Sequence, residues 1–546
     1  MPRPRRAQRL RLGPVVGHTD DASSRVWIQV VDDPRIYALR VEGAGVYPFQ
    51  STEGGVLEFR TGLAFATGLR ADWSYRYAVL RAGRSVPGAS GSFRTMPGPS
   101  SMTNLTFCVI SCTSAEREGA WQAFADYVGR AKPHFILMVG DQVYFDEDKP
   151  DIFADHFHST AETRRRAMAA KYRPNWSRAP VRRILANTPT YMVWDDHDIR
   201  DGWGSGAGDS PTLAGRYPRG REIHEQSVAY FEDARDVYWH FQRVLAPLPG
   251  DILDPGMDNY VGGPPLHGQR RAMPYVFRCG RLVVLMLDSR GDRDVFRADQ
   301  PILGAEQWQF IDRVFANLPA EVEALAVVTP TPVASLDPDG QVMKLMGNRT
   351  DDIEAFKRGD EKELFDPEST EDKIELAKAA AGVWASRLSG RQVNWGSFKV
   401  SNIDEARDQW SHTYSRKEQA DLIRKAAAAR LTNRPGGSAR GLVFLSGDIH
   451  MGCIFDIEVH KPKARIASLT SSGISQVEDR TLVVGIFVDE RANIAFGIHS
   501  TLREVIPDFN FGVVEVLPTG RGAEMHGSIA HAGNAFTAGL DVADLL

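Results

Sequence analysis

The residues best equipped for chemistry stand immediately after apolar runs. In VFLSGDIHMG, Val443 to Gly452, a strand-like run stops at Gly447, and Asp448, Ile449 and His450 follow at once. The same event recurs along the chain: Ser111-Cys112 after LTFCVI, Asp141 after HFILMVG, Asp195-Asp196-His197-Asp198 after PTYMVW, Asp288 after RLVVLML and Thr329 after ALAVV. A single acid at a strand end is ordinarily a cap or a turn residue. Recurrence changes that reading, because ligands of functional sites in α/β sheets gather outside the carboxyl ends of the strands. Several carboxylates brought together there raise one another's pKa unless cations neutralise them. Mixed oxygen, nitrogen and sulfur donors suit a transition metal. Two adjacent metals can clamp the attacking and leaving oxygens of a phosphoryl displacement and generate hydroxide at neutral pH.

The elements that must position these residues fall into two regions. From residue 13 to about 97, short runs with partial period-two alternation, such as SSRVWIQVVDD and SYRYAVLRAG, are separated by Gly, Asp and Pro. That spacing predicts an antiparallel β-sandwich over 1–98, with TMPGPSSMT (95–103) as a linker. The region 104–546 reads differently. A strand at 105–112, a helix at 118–131 and a strand at 134–141 form a β-α-β unit, which marks an α/β fold. Further buried strands are expected at 189–196, 281–290, 324–333 and 441–450, and helices near 222–246, 304–317, 371–387 and 415–431. All the strand ends are expected on one edge of one sheet. The charged, helix-prone segment 335–410 reads as an insertion or lid.

Bulk properties exclude several classes. The chain has 546 residues, 42% hydrophobic and 25% charged, the balance of a soluble globular enzyme. A net charge of −5 argues against a nucleic-acid or anionic-membrane binder. No apolar run reaches the roughly 18 residues of a membrane helix. The arginine-rich start, MPRPRRAQRLRLG, lacks an apolar segment behind it, so a cytoplasmic location is expected. Four cysteines in so long a chain make no disulfide framework, and Cys108, Cys279 and Cys453 read as structural.

Four motifs in order give a resemblance. Ser111-Cys112, GDQVY (Gly140 to Tyr144), WDDHD (Trp194 to Asp198) and SGDIH (Ser446 to His450) resemble the motifs of the PhoD-like alkaline phosphatases. These are a branch of the calcineurin-like binuclear metallophosphatases and are related in site design to the purple acid phosphatases. LGPVVGHTDDASSRVWIQ is similar to the family's N-terminal β-sandwich, and LGAEQWQFIDRVFANLP to its helix after the central strands. The resemblance implies a calcineurin-like β-sandwich flanked by helices, an α/β (α+β) class. It implies two metal ions, iron at the first site and calcium at the second. Asp141 would bridge them, and Cys112, Tyr144 and His450 would complete the first site. Asp196 and Asp448 would serve the second, with His197 as general acid or oxyanion stabiliser. Asp408, Trp410 and His412, in DQWSHTY, would line the substrate pocket. The wider superfamily usually supplies a further histidine after the fourth core strand, where this chain reads VVTPTPV.

The implied activity is hydrolysis of a small phosphate ester by a metal-activated hydroxide. Phosphodiesterase or phospholipase D-like activity is the alternative within enzymes, and a catalytically silent metal-binding interaction protein is the alternative outside them. Arg117, Arg200 and Arg290 are possible phosphate clamps.

Overall fold

The computed structural model describes residues 10–53, 57–251, 257, 259, 272–340, 343, 350–365, 407–477, 488–531 and 540–541. The predicted helix at 371–387 and most of the predicted insertion lie outside them.

The N-terminal region forms two four-stranded antiparallel sheets. One orders Leu10–Thr19, Ser23–Val30, Thr61–Thr67 and Gln50–Ser51; the other orders Gly45–Pro48, Tyr37–Val41, Ser74–Arg81 and Arg84–Arg94. Alternation drives the pairing: in Tyr37–Val41 the first, third and fifth residues are buried. Val26, Ile28, Leu39 and Val79 meet between the sheets. The outer face is not free, because Leu12, Val15, Trp27 and Phe59 join the core of the rest of the chain. The indole of Trp27 donates to the carbonyl of His240 at 2.9 Å. His18 Nδ1 lies 3.1 Å from the hydroxyl of Tyr191, on the strand that leads to Asp195.

Two larger sheets follow. The first has six strands, Thr190–Val193, Phe135–Val139, Leu105–Ile110, Asn510–Pro518, Ala523–His531 and Leu540–Asp541. The second has eight, Tyr275–Cys279, Leu282–Met286, Ala324–Val328, Gly441–Ser446, Ala464–Ser471, Gly452–Val459, Ile498–Ile506 and Arg491–Ala495. Three adjacent strands at one edge of the first, Thr190–Val193, Phe135–Val139 and Leu105–Ile110, are parallel, as are Leu282–Met286, Ala324–Val328, Gly441–Ser446 and Ala464–Ser471 of the second. Covered on both faces, they are continuous apolar runs, with every residue of Phe135–Val139, Leu282–Met286 and Ala324–Val328 buried. Helix Trp121–Ala131 buries Trp121, Phe124, Ala125 and Val128, one stripe at helical spacing. Arg221–Phe241, Gly304–Ala316 and Arg416–Ala429 match the other described helical expectations.

One expectation needs correction. The polar strand ends do not line one edge of one sheet: Cys112, Asp141 and Asp195–Asp198 leave the six-stranded sheet, while Asp288, Thr329, Asp448 and His450 leave the eight-stranded sheet. The apolar runs are buried between layers, so their carboxyl ends meet across a seam. Among the described residues, no helix is long and apolar enough to cross a membrane.

Candidate metal centre

The sheets stop abruptly at this seam because the backbone turns left-handed there. Cys112, Asp141, Asp448 and His450 have φ of 59°, 52°, 75° and 55°. Non-glycine residues adopt that region at a cost, and such strain persists where the surroundings over-determine it, typically at functional sites. The close approach also demands glycines. At Gly140, φ 89°, an added Cβ would lie 2.6 Å from Cβ of Asp195, and at Gly447 it would collide with Ser111 and the carbonyl of Val139.

The side chains then converge. Cys112 Sγ lies 3.3 Å from Asp141 Oδ2 and 2.9 Å from Ser472 Oγ. The Tyr144 hydroxyl is 3.3 Å from the same Asp141 oxygen and 3.2 Å from His450 Nε2. Ser472 Oγ also accepts from the His450 backbone N–H at 2.8 Å, which fixes that turn. Among the described residues, three donor groups have ligand atoms within 4.8 Å of one another: Cys112, Asp141 and His450; Asp141, Asp196 and His197; Asp195, Asp196 and Asp448. Asp141 belongs to two of them, and Asp196 to two.

Electrostatics favour cations here. Burial raises the Asp141 carboxyl far above the carboxylate range, and Cys112 and Asp196 add to it. Burial likewise raises Asp448, with Asp195 and Asp408 contributing, and raises the Cys112 thiol and the Tyr144 phenol. Asp141 Oδ1, Asp195 Oδ2, Asp196 Oδ1 and Asp448 Oδ2 are buried without a hydrogen-bond partner. Unsatisfied buried acids are costly, and their lone pairs are what a cation would take. The residues therefore fit two metal ions, one beside sulfur, phenol and imidazole, the other among carboxylates.

Arg290 supplies fixed positive charge at the heart of the cluster, and Arg293 lies 3.2 Å from Asp408 Oδ1. The fully buried guanidinium of Arg290 donates to Asp195 and to both oxygens of Asp408, and reaches the carbonyl of Trp203 at 3.3 Å and Thr331 Oγ1 at 3.4 Å. Nη2 lies 3.3 Å from Asp196 Oδ1, an ion pair outside hydrogen-bond geometry. Burial works against the charge of Asp196, but Arg290 and His197 bring its pKa below the carboxylate range.

A family model for PhoD-like phosphatases matches residues 107–493. The chain belongs to the PhoD-like phosphatase family. It is accordingly a phosphoric ester hydrolase, and its fold is a metallophosphatase fold. A solved structure of PhoD superposes with a TM-score of 0.55 at 14% identity, covering 97% of this chain and 91% of that one. A purple acid phosphatase from yellow lupin (Lupinus luteus) seeds gives a TM-score of 0.50 at 11% identity, covering 96% and 73%. Comparison with the curated proteins gives no match.

Against this PhoD-like frame, the six residues expected as ligands, Cys112, Asp141, Tyr144, Asp196, Asp448 and His450, all lie at the seam. His197 sits beside them, its ring 4.4 Å from that of Tyr144. Its Nδ1 is 2.9 Å from Asp146 Oδ1. Burial opposes the imidazolium, yet Asp146 and Asp196 raise its pKa well above the ordinary value. Asp408 reaches the seam through Arg290 and accepts from Ser205 Oγ at 2.9 Å. Trp410 and His412 are buried, with the Trp410 indole donating to the carbonyl of Thr331 at 3.2 Å, and neither belongs to the donor groups.

Other candidates are committed elsewhere. Asp288 accepts from the Trp194 indole at 2.8 Å and from the backbone of Met273, Arg290 and Gly291, so it braces loops instead of offering lone pairs. Arg290 is consumed by acids, Arg200 is paired with Asp209, and Arg117 donates to the carbonyl of Val477. Sequence reasoning did not place Asp195 among the site residues and missed Asp146 and Ser472. Asp146 stands two residues after Tyr144, and Ser472 immediately follows the strand ARIASLTS, Ala464–Ser471, a strand-end position that could have exposed it.

Proposed function

We propose that the chain is a phosphomonoesterase, an alkaline phosphatase of the PhoD-like kind, with iron(III) at Cys112, Asp141, Tyr144 and His450 and calcium at Asp141, Asp196 and Asp448. The observation that carries this reading is that Asp141 is shared between donor groups of different chemistry while its Oδ1 has no other partner. Bound there, the two cations would supply a nucleophile at neutral pH and neutralise charge developing on the phosphoryl oxygens.

The protein's own part is to hold donors and move a proton. The left-handed turns present Cys112, Asp141, Asp448 and His450 from rigid strand ends, so the site is organised before substrate arrives. Asp146 on Nδ1 leaves Nε2 of His197 as the nitrogen able to face the leaving-group oxygen. Protonated His197 would deliver its proton as the ester bond breaks. Residues 104–546 are read as the catalytic unit, with 1–98 as a supporting sandwich. Asp408 is read as bracing the pocket wall through Arg290, with Trp410 and His412 behind it.

The test is hydrolysis of p-nitrophenyl phosphate beside bis(p-nitrophenyl) phosphate, by protein purified without chelators and supplied with iron and calcium. Dominant monoester cleavage is expected. Dominant diester cleavage would transfer the assignment to a phosphodiesterase, and no cleavage with metal bound would favour the silent binding protein.

A further inference from the structure

Away from the metal centre, a cleft of about 1320 Å³ opens between the N-terminal sheets and the helices that follow Asp151. Its wall exists because strand Arg84–Arg94 bulges. Ser85 pairs with Leu80 and Ser90 with Ala78, so residues 86–89 stand opposite Val79 alone and swing out of the ladder. Arg11, Arg81, Arg84, Arg173 and Arg182 line the cleft, and no acidic residue does. Arg81 is paired with Asp32 at 2.9 Å. Arg182 donates to the carbonyl of Gly88 at 3.4 Å. Arg11, Arg84, Arg173 and Arg182 are all exposed and have no carboxylate partner among the described residues. This is unusual in a chain of net charge −5. Nor does the sequence just before Leu10 offer neutralisation, since residues 1–9 contain Arg3, Arg5, Arg6 and Arg9 and no acid.

Like charges crowded on four elements repel, and the arrangement becomes favourable with an anion in the cleft. Guanidinium forks match phosphate oxygens two at a time. The cleft is larger than the roughly 300–1,000 Å³ that holds a small ligand, and its cations come from both regions of the chain. We propose that this cleft is a non-catalytic binding site for a linear polyanion carrying several phosphate groups. It contains none of the residues of the metal centre, so failure of the metal assignments would leave it standing, and the reverse holds too.

The experiment titrates end-labelled linear polyphosphate with the full chain by fluorescence anisotropy at several salt concentrations. Orthophosphate and heparin are run as competitors. The comparison protein carries Arg84→Glu and Arg173→Glu, both exposed positions, and its hydrolysis of p-nitrophenyl phosphate should match that of the parent. Expected are binding by the parent at about 0.15 M salt, a loss of at least about tenfold in the double variant, and a salt slope shallower by about 1 to 2. Equal binding by parent and variant, or none by the parent, would overturn the site. Heparin competing as well as polyphosphate would overturn its assignment to phosphate, and orthophosphate competing equally would overturn the extended ligand.

Discussion

Arg290 offers the sharpest test of how the centre is held together. Replacing it with methionine keeps much of the aliphatic volume but removes the guanidinium that serves both Asp195 and Asp408 and lies near Asp196, leaving Asp408 with the Arg293 guanidinium at 3.2 Å. Asp195 and Asp408 are 0% and 4% exposed, so water cannot take over its role. Breaking a buried pair by removing one partner costs about 3–5 kcal/mol, chiefly because the remaining charge is stranded. At about 2 °C per kcal/mol for a large chain, Arg290→Met should lower the midpoint of thermal unfolding by about 8 °C. The scans are run with chelator, so that cations do not mask the stranded acids. Arg290→Lys should recover only part, because an ammonium cannot span both carboxylates. Adding Asp195→Asn and Asp408→Asn to Arg290→Met should restore more than half of the loss. A drop of less than about 2 °C for Arg290→Met, or no recovery with the double amide, would refute the view of Arg290 as the cluster's countercharge.

Other consequences follow from the same contacts. His197→Ala should keep its metal content while turnover falls by about 10² to 10⁴, and Asp146→Asn should produce a smaller fall in kcat with little change in KM; metal analysis beside steady-state kinetics checks both. At acid pH, buried His134 should cost stability, alongside His18 and His240, whose pKa values burial also lowers. Burial, helped by the charge of Arg94, lowers the pKa of His134 from 6.5 to about 4. A depressed pKa leaves the native state intact above 6.5 and costs about 1.4 kcal/mol per unit as pH falls from there towards 4. By pH 5 the loss is about 2 kcal/mol, and His134→Gln should remove it; urea midpoints at pH 7 and pH 5 that shift equally in both proteins would contradict this.

Much of the centre was legible in sequence because strand ends advertise themselves. A continuous apolar run followed by Cys112, Asp141, Asp196 or Asp448 signals both a buried parallel strand and the place where its chain turns polar. What sequence could not give was which sheet each run joins. The pairing of Gly441–Ser446 with Ala324–Val328, and of Leu105–Ile110 with Phe135–Val139, depends on long-range contacts that leave no local pattern. Partner identity was equally hidden. Asp288 and Asp448 look alike at strand ends, yet Asp288 is saturated by N–H donors and Asp448 has an orphan oxygen. Arg290 reads as one arginine among many until its burial among acids is seen. The C-terminal antiparallel strands from Gly452 to His531 went unassigned because their polar and apolar residues alternate only in part.

The central claim is that Asp141 is shared by two cations. Its most direct test is metal content per chain, by mass spectrometry of the parent and of Asp141→Asn, each purified without chelator and dialysed against the same iron and calcium buffer. The account predicts two metals per chain in the parent and loss from both sites in the variant. Full retention of two metals by Asp141→Asn, with undiminished hydrolysis, would contradict it.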